Sequence, residues 1–286
     1  MKVIEHINNS TDTQFSYEII PPLRGKGIKI IIDMIEDLKK FNPPFIDVTS
    51  HSSSAQKFQN GQTVLKRKRP GTISICGIIQ NRFNIDTVAH LVCNGFTKEE
   101  TENALIDLNF LGIDNVLLLR GDPIKTEPGF VPEEDGHHYA VDLVKQVVGL
   151  NNGEYMDEDL QNANPTTFNI GVAGYPEKHF EAPNMKNDIK YLKQKIEAGA
   201  DYIVTQLFYD NQKFKDFVDL CRKEGITVPI LPGIKPISTK KQILALPKFF
   251  HIDLPNELVD AIESAPDAAA VKQVGIDWAI KQSKDL

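Results

Sequence analysis

Asn115-Val-Leu-Leu-Leu-Arg-Gly-Asp-Pro123 decides how the rest of the chain is read. From Val116 to Leu119 the residues are branched and apolar without interruption, and turn formers bound the run. That is the signature of a strand buried on both faces, as in the parallel sheets of α/β proteins. The run stops in charge: Arg120 and Asp122 flank Gly121, whose missing side chain lets backbone approach a ligand closely. A barrel strand delivers chemistry at its carboxyl end in this way. A surface ion pair closing a strand has the same sequence, so the choice depends on whether the pattern recurs.

Polar ends do recur outward from this stretch. An apolar strand over 45–48 runs into Thr49, Ser50 and His51, and one over 15–20 is stopped by Pro21 and Pro22. Residues 72–79 are predicted as a third strand, and 86–93 as the start of a helical return carrying His90. On the C-terminal side, 169–176 ends at Tyr175-Pro176-Glu177 and continues to His179; 202–209 is interrupted by Gln206; 228–231 is closed by Pro232-Gly233. Helices fill the gaps. Ile28, Ile31, Ile32, Ile35 and Leu38 have amphipathic helical spacing, and Thr97 with Glu100 forms a capping box for a helix through Leu111 that Gly112 closes. A helix follows Tyr139, and over 187–199 Ile189, Leu192 and Ile196 form an apolar stripe. Asp188, Tyr191 and Lys195 share another face of that helix. Phe214, Phe217, Val218 and Cys221 stripe the next helix. Beyond Ser238, read as an N-cap, three helices are expected over 238–246, 255–264 and 267–284.

Strand followed by helix along the whole chain predicts a parallel α/β architecture. No G-x-G-x-x-G is present, since Gly25 and Gly27 lack the third glycine and follow prolines, and there is no Walker loop. A doubly wound sheet would gather its polar residues at one switch point. Here they close most of the strands, so a (β/α)8 TIM barrel occupying 1–286 as a single domain is the expected fold.

A length of 286 residues suits one barrel, and 41% hydrophobic with 25% charged residues is enough for a large core. A formal net charge of -7 argues against nucleic acid as a partner, and the basic run from Lys66 to Arg69 reads as a solvated loop. No window approaches the ~18 apolar residues of a membrane span, and no secretory signal opens the chain, so a cytoplasmic protein without membrane association is expected. Cys76, Cys93 and Cys221 lie far apart and read as reduced core cysteines. Glu177, His179 and Glu181 alternate in an expected loop, and no metal is predicted there. The acidic loop over 124–138 is long enough to suggest a function. Glu18 is the anomaly among Phe15, Ile19 and Ile20. It either faces solvent by strand alternation or sits inside with a raised pKa, and the sequence leaves both open.

Several motifs together resemble the methylenetetrahydrofolate reductase family, in order and over nearly the whole chain. They are Phe15-Ser-Tyr-Glu18-Ile-Ile-Pro21-Pro22, Asp47-Val-Thr49, Leu118-Leu-Arg120-Gly121-Asp122-Pro123, Tyr139-Ala-Val-Asp142-Leu, and Ala173-Gly-Tyr175-Pro176-Glu177 with His179 and Ala182. Ala198-Gly199-Ala200-Asp201, Thr205-Gln206 and Pro232-Gly233-Ile234 complete the set. The resemblance implies a (β/α)8 barrel that holds FAD at its strand ends without a Rossmann fingerprint. It implies that NADH or NADPH reduces the flavin and leaves, and that the flavin then reduces 5,10-methylenetetrahydrofolate to 5-methyltetrahydrofolate. Nothing in the sequence selects between the two nicotinamides.

Residue roles follow from the same resemblance. Glu18 is the acid that protonates the folate's leaving nitrogen; Asp122 and Gln206 bind the pterin edge, and Asp122 also tunes the flavin. FAD falls to Thr49, His90, Arg120, Gly121, Asp122, Tyr139, Ala140, Tyr175, His179, Ala182, Asp188, Tyr191 and Lys195. Arg120, His179 and Lys195 balance its pyrophosphate. Without the family, His90 reads equally as a core histidine, Tyr191 as packing and Lys195 as a solvated stem. Three departures stand out. Ser50-His51-Ser52-Ser53 replaces an aromatic and glycines, Leu246 offers an apolar wall where some members stack an aromatic, and the eighth strand and last helix are expected to be missing from this chain. A seven-strand barrel would expose two edges, so truncation or a covering element is expected. Outer helices suggest a homo-oligomer. The rival readings are a flavin-free barrel lyase or aldolase, and a non-catalytic folate- or flavin-binding protein.

Overall fold

The chain packs into two compact units, Met1–Val172 with Ala198–Asp201, and Ala173–Glu197 with Tyr202–Leu286. The structure, a computed structural model, describes residues 1–51, 54–57, 63–66, 69–122 and 129–286.

The first unit opens with helix α1 (Val3–Asn9), strand β1 (Tyr17–Ile19) and helix α2 (Lys29–Leu38), which tightens into a 3-10 turn at Lys39–Phe41. There follow β2 (Phe45–Val48), β3 (Ser54–Lys57), β4 (Thr63–Lys66), α3 (Thr72–Phe83), β5 (Asp86–Val92), α4 (Lys98–Phe110), β6 (Asn115–Leu119), α5 (Ala140–Asn151) and β7 (Asn169–Gly174). Strands β1, β2, β5, β6 and β7 pair in that order, all parallel, while β3 and β4 form an antiparallel hairpin. The reading of 115–119 holds: Val116, Leu117 and Leu118 are buried, as a strand covered on both faces requires. Thr97 caps α4 as expected, its hydroxyl accepting the Glu100 N–H at 3.1 Å while Glu100 accepts the Thr97 N–H at 2.9 Å.

The second unit carries α6 (Met185–Glu197), β8 (Tyr202–Thr205), α7 (Asn211–Lys223), β9 (Ile230–Leu231), α8 (Gln242–Phe250), α9 (Asn256–Ser264) and α10 (Ala268–Asp285). β8 and β9 pair in parallel, Ile203 opposite Ile230. The last helices enclose a core of Tyr209, Ile237, Leu246, Ile252, Leu258, Ile262 and Val271. Parallel strands alternating with helices make this an α/β protein of the TIM-barrel class, with seven parallel strands among the described residues.

Three expectations change, and two elements are added. Residues 72–79 are helical, not a strand, and 86–92 form a strand, not a helix, so His90 sits on β5. Ser238 is not an N-cap: α8 starts after Lys241, and the Ser238 N–H instead donates to Gln242 Oε1 at 2.7 Å. Leu246 is buried in the helical core. Helix α1 and the β3–β4 hairpin were not anticipated. Ser52 and Ser53, Arg67 and Lys68 of the basic run, Pro123, and 124–128 of the acidic loop lie outside the described residues.

Candidate functional site

Register partners in a parallel sheet point their side chains the same way, and alternate residues share a face. Glu18 is opposite Asp47 and Asp47 opposite Val88, so Glu18, Asp47 and His90 lie on one face of the first unit's sheet. Thr87 Oγ1, on the other face, donates to Gln80 Oε1 of α3 at 3.3 Å, so that helix covers the face. Helix α1 closes the N-terminal end of the Asp47 face. Val3 N–H donates to Asn115 Oδ1 at 2.9 Å and Ile4 N–H to Asn169 Oδ1 at 3.3 Å, and His6 Nε2 lies 2.8 Å from Asp86. Two otherwise orphaned helix N–H groups are satisfied there. Chemistry is left to the C-terminal ends.

At those ends Asp47 Oδ1 lies 3.3 Å from His90 Nε2, and both residues are buried. A neutral imidazole that donates from Nε2 presents Nδ1 as an acceptor. Thr49 is tied by its backbone, its N–H donating to Ile19 O at 3.0 Å and its carbonyl accepting Thr72 Oγ1 at 2.9 Å. Its own Oγ1 is buried with no partner among the described residues. Beyond β6 the Arg120 guanidinium stacks over Phe130, 4.9 Å from the ring centre. Gly121 turns the chain at φ +85, in the left-handed region that glycine enters freely. Asn94 Nδ2 then fixes the Asp122 carbonyl at 2.8 Å, and Asp122 is exposed. Tyr139 precedes α5 as its N-cap with its side chain 60% exposed, and Ala140 is the first residue of that helix. Of the two positions left open for Glu18, the structure shows the exposed one.

The second unit has its own cluster. Gly174 ends β7 where a Cβ would come within 2.8 Å of Ile203 Cγ2 and 2.9 Å of Phe217 Cζ, so no larger residue fits. The Gln206 N–H donates to Gly174 O at 2.8 Å, and Gln206 Oε1 accepts the Leu207 N–H at 2.9 Å. The following loop turns at Lys178, a non-glycine residue at φ +77, which costs on the order of 1 kcal/mol. Lys178 Nζ donates to the carbonyls of His179 at 3.0 Å and Ala182 at 2.7 Å, and the His179 N–H donates to Asp188 at 2.8 Å. Tyr175 and His179 meet edge to face, 4.7 Å between ring centres. Burial pushes the Asp188 carboxyl above its ordinary range, against the opposing pull of the His179 N–H, Lys195 and Lys178. Lys195 Nζ donates to Ala173 O at 2.6 Å, and burial brings its pKa down to about 8 despite Asp188. Lys195 is thus no solvated stem. Tyr191 is 49% exposed.

Within each unit, then, the expected residues fall at strand ends and on the adjoining loops and helix. Sequence reasoning gave no role to Asp47, Asn94, Lys178 or Glu177, although a carboxylate inside the apolar run Phe45-Ile46-Asp47-Val48 is a legible signal. A cavity of about 440 Å³ in the first unit lies elsewhere, lined by Lys98, His137, His138, Asp142 and Lys145 among others, and none of the expected site residues lines it.

A sequence profile described as Methylenetetrahydrofolate reductase matches residues 2–286. The chain belongs to the methylenetetrahydrofolate reductase family. An Arabidopsis thaliana relative, methylenetetrahydrofolate reductase (NADH) 1, is 36% identical over 301 residues, covering 100% of this chain and 46% of its own length. The chain therefore spans about half the length of such relatives. A shorter family member, 5,10-methylenetetrahydrofolate reductase of Buchnera aphidicola, is 34% identical over 90% of this chain and 75% of its own. Among solved structures, an uncharacterised Clostridium thermocellum protein described as binding two copies of 5-methyl-5,6,7,8-tetrahydrofolic acid superposes with a TM-score of 0.61. That likeness covers 99% of this chain and 86% of the other at 15% identity, and it shows the shared fold.

Proposed function

We propose that the chain reduces 5,10-methylenetetrahydrofolate to 5-methyltetrahydrofolate, with NADH or NADPH as electron donor and FAD as the carrier between them. The family match over residues 2–286 carries this reading. The chemistry of these residues agrees with a dinucleotide that needs cations, hydroxyls and backbone turns. Thr49 Oγ1 is a buried hydroxyl without a partner among the described residues, Gly121 opens a turn, and Lys195 is an enclosed amine beside Asp188. In the first unit Thr49, His90, Arg120, Gly121, Asp122, Tyr139 and Ala140 would hold FAD; in the second, Tyr175, His179, Ala182, Asp188, Tyr191 and Lys195. Bound FAD supplies a hydride acceptor for the nicotinamide and a hydride donor for the one-carbon unit.

The chain's own groups do the rest. Opening the folate's five-membered ring to an iminium needs a proton on the departing nitrogen, and Glu18 is the acid for it. A ring system laid against the Glu18, Asp47 and His90 face would exclude water from it. Asp122, exposed on a turn that Asn94 and Gly121 fix, accepts from the pterin's amino edge; Gln206 has both an acceptor and donors for the amide edge. Their contribution is orientation, which replaces a diffusive encounter by a held geometry. The test is product formation by the full chain with FAD, 5,10-methylenetetrahydrofolate and each nicotinamide in turn. Formation of 5-methyltetrahydrofolate with either one supports the reading, and none with both rejects it.

A further inference from the structure

Glu177 is the feature of the second unit that this function does not yet use. Its side chain is 8% exposed, Oε2 accepts the Asp253 N–H at 2.6 Å, and Lys213 Nζ stands 3.3 Å from it. Lys213 also reaches Asp253 Oδ2 at 2.5 Å. Three residues along, the Phe180 ring stacks on His251 with 4.6 Å between centres. The loop carrying Tyr175 and His179 is therefore fastened to the 251–253 turn at two points, one on each side of the left-handed Lys178. Backbone held in a sparsely populated region persists only where its surroundings over-determine it. Folding stability alone explains Glu177 poorly, because Oε1 is buried without a partner among the described residues, a cost that a smaller side chain would avoid.

We propose that Glu177, pinned by Lys213 and the Asp253 N–H, is a positioning residue that holds the 175–182 loop in the strained form presenting Tyr175 and His179 to the flavin. The flavin part rests on the function proposed above; the fastening itself does not. Lys213 keeps Asp253 as a partner when Glu177 is removed, so Glu177→Ala orphans no cation and its effect falls on the loop. In the full chain without ligand, Glu177→Ala should speed amide hydrogen exchange in the 175–182 loop by about tenfold, with β8 and α7 unchanged. FAD, titrated by its visible absorption and fluorescence, should bind about tenfold more weakly. Glu177→Gln keeps an oxygen for the Asp253 N–H and loses only the ion pair, so it should change each quantity by about threefold. It also decides the matter if the alanine variant fails to fold. Unchanged loop exchange in the folded variants, or acceleration spread equally over β8 and α7, overturns the proposal. A freed loop in a chain whose parent form binds no FAD supports the fastening and overturns the flavin assignment.

Discussion

Glu18 and Lys195 show how the same alternation rule yields different outcomes for single residues. Glu18 shares a sheet face with buried Asp47 and is nonetheless exposed, since no partner for it beyond β1 stands among the first unit's described strands. Glu18→Gln should leave flavin reduction by the nicotinamide within about twofold and slow flavin reoxidation by the folate roughly a hundredfold or more. Single-turnover rates check this, and equal losses in both steps would remove Glu18 from the acid's role. Lys195 is held at about 8, below the ordinary lysine value of 10.5. Between those values the unfolded chain carries a proton that the folded chain has released, so this group's contribution to stability rises with pH across that window and is least favourable below it. The difference in unfolding midpoint between the parent and Lys195→Met should therefore move in the parent's favour from pH about 8 to about 10.5. A pH-independent difference would contradict the burial. None of this was legible beforehand, because the spacing of Asp188, Tyr191 and Lys195 gives a shared face but not what covers it.

At the level of elements, the glycine ending β7 and the asparagine opening β6 each fix the packing at one end of a strand. Gly174→Ala places a methyl against Ile203 and Phe217 and should destabilise by about 1–3 kcal/mol, read as a lower denaturant midpoint with unchanged slope. An unchanged midpoint would mean the second unit gives way freely. Asn115→Ala leaves the Val3 N–H without its acceptor and should cost about 1–3 kcal/mol while FAD affinity stays the same. Weakened FAD binding would place α1 in the functional machinery. The strand of 115–119 was legible because four branched apolar residues between turn formers admit little else. The exchange of helix and strand over 72–93 has a physical cause. Thr72-Ile-Ser-Ile-Cys alternates like a strand, but Ile75, Ile79 and Phe83 form the buried face of a helix; 86–92 is buried on both faces and so lacks any strand alternation. Helix α1 was invisible because its reasons, Asn115 and Asn169, are more than a hundred residues away.

Along the chain, the groups assigned to one reaction run from Glu18 to Gln206, on strands near their carboxyl ends and on the loops and helices that follow, as the TIM-barrel class arranges its chemistry. Cys76, Cys93 and Cys221 are all buried as free thiols, burial pushing the last two up to about 12, so they belong to the packing and not to the site. No described helix is long and apolar enough to cross a membrane, and the net charge of -7 suits small-molecule substrates better than nucleic acid. The central claim is that these strand ends carry electrons from a nicotinamide to a folate through a bound flavin. The most direct measurement is anaerobic rapid mixing of the FAD-loaded chain, first with NADH or NADPH and then with 5,10-methylenetetrahydrofolate, while the flavin's visible band is followed. The account predicts that the band bleaches in the first step and returns in the second with formation of 5-methyltetrahydrofolate; a band that never bleaches, or that stays bleached when the folate is added, would contradict it.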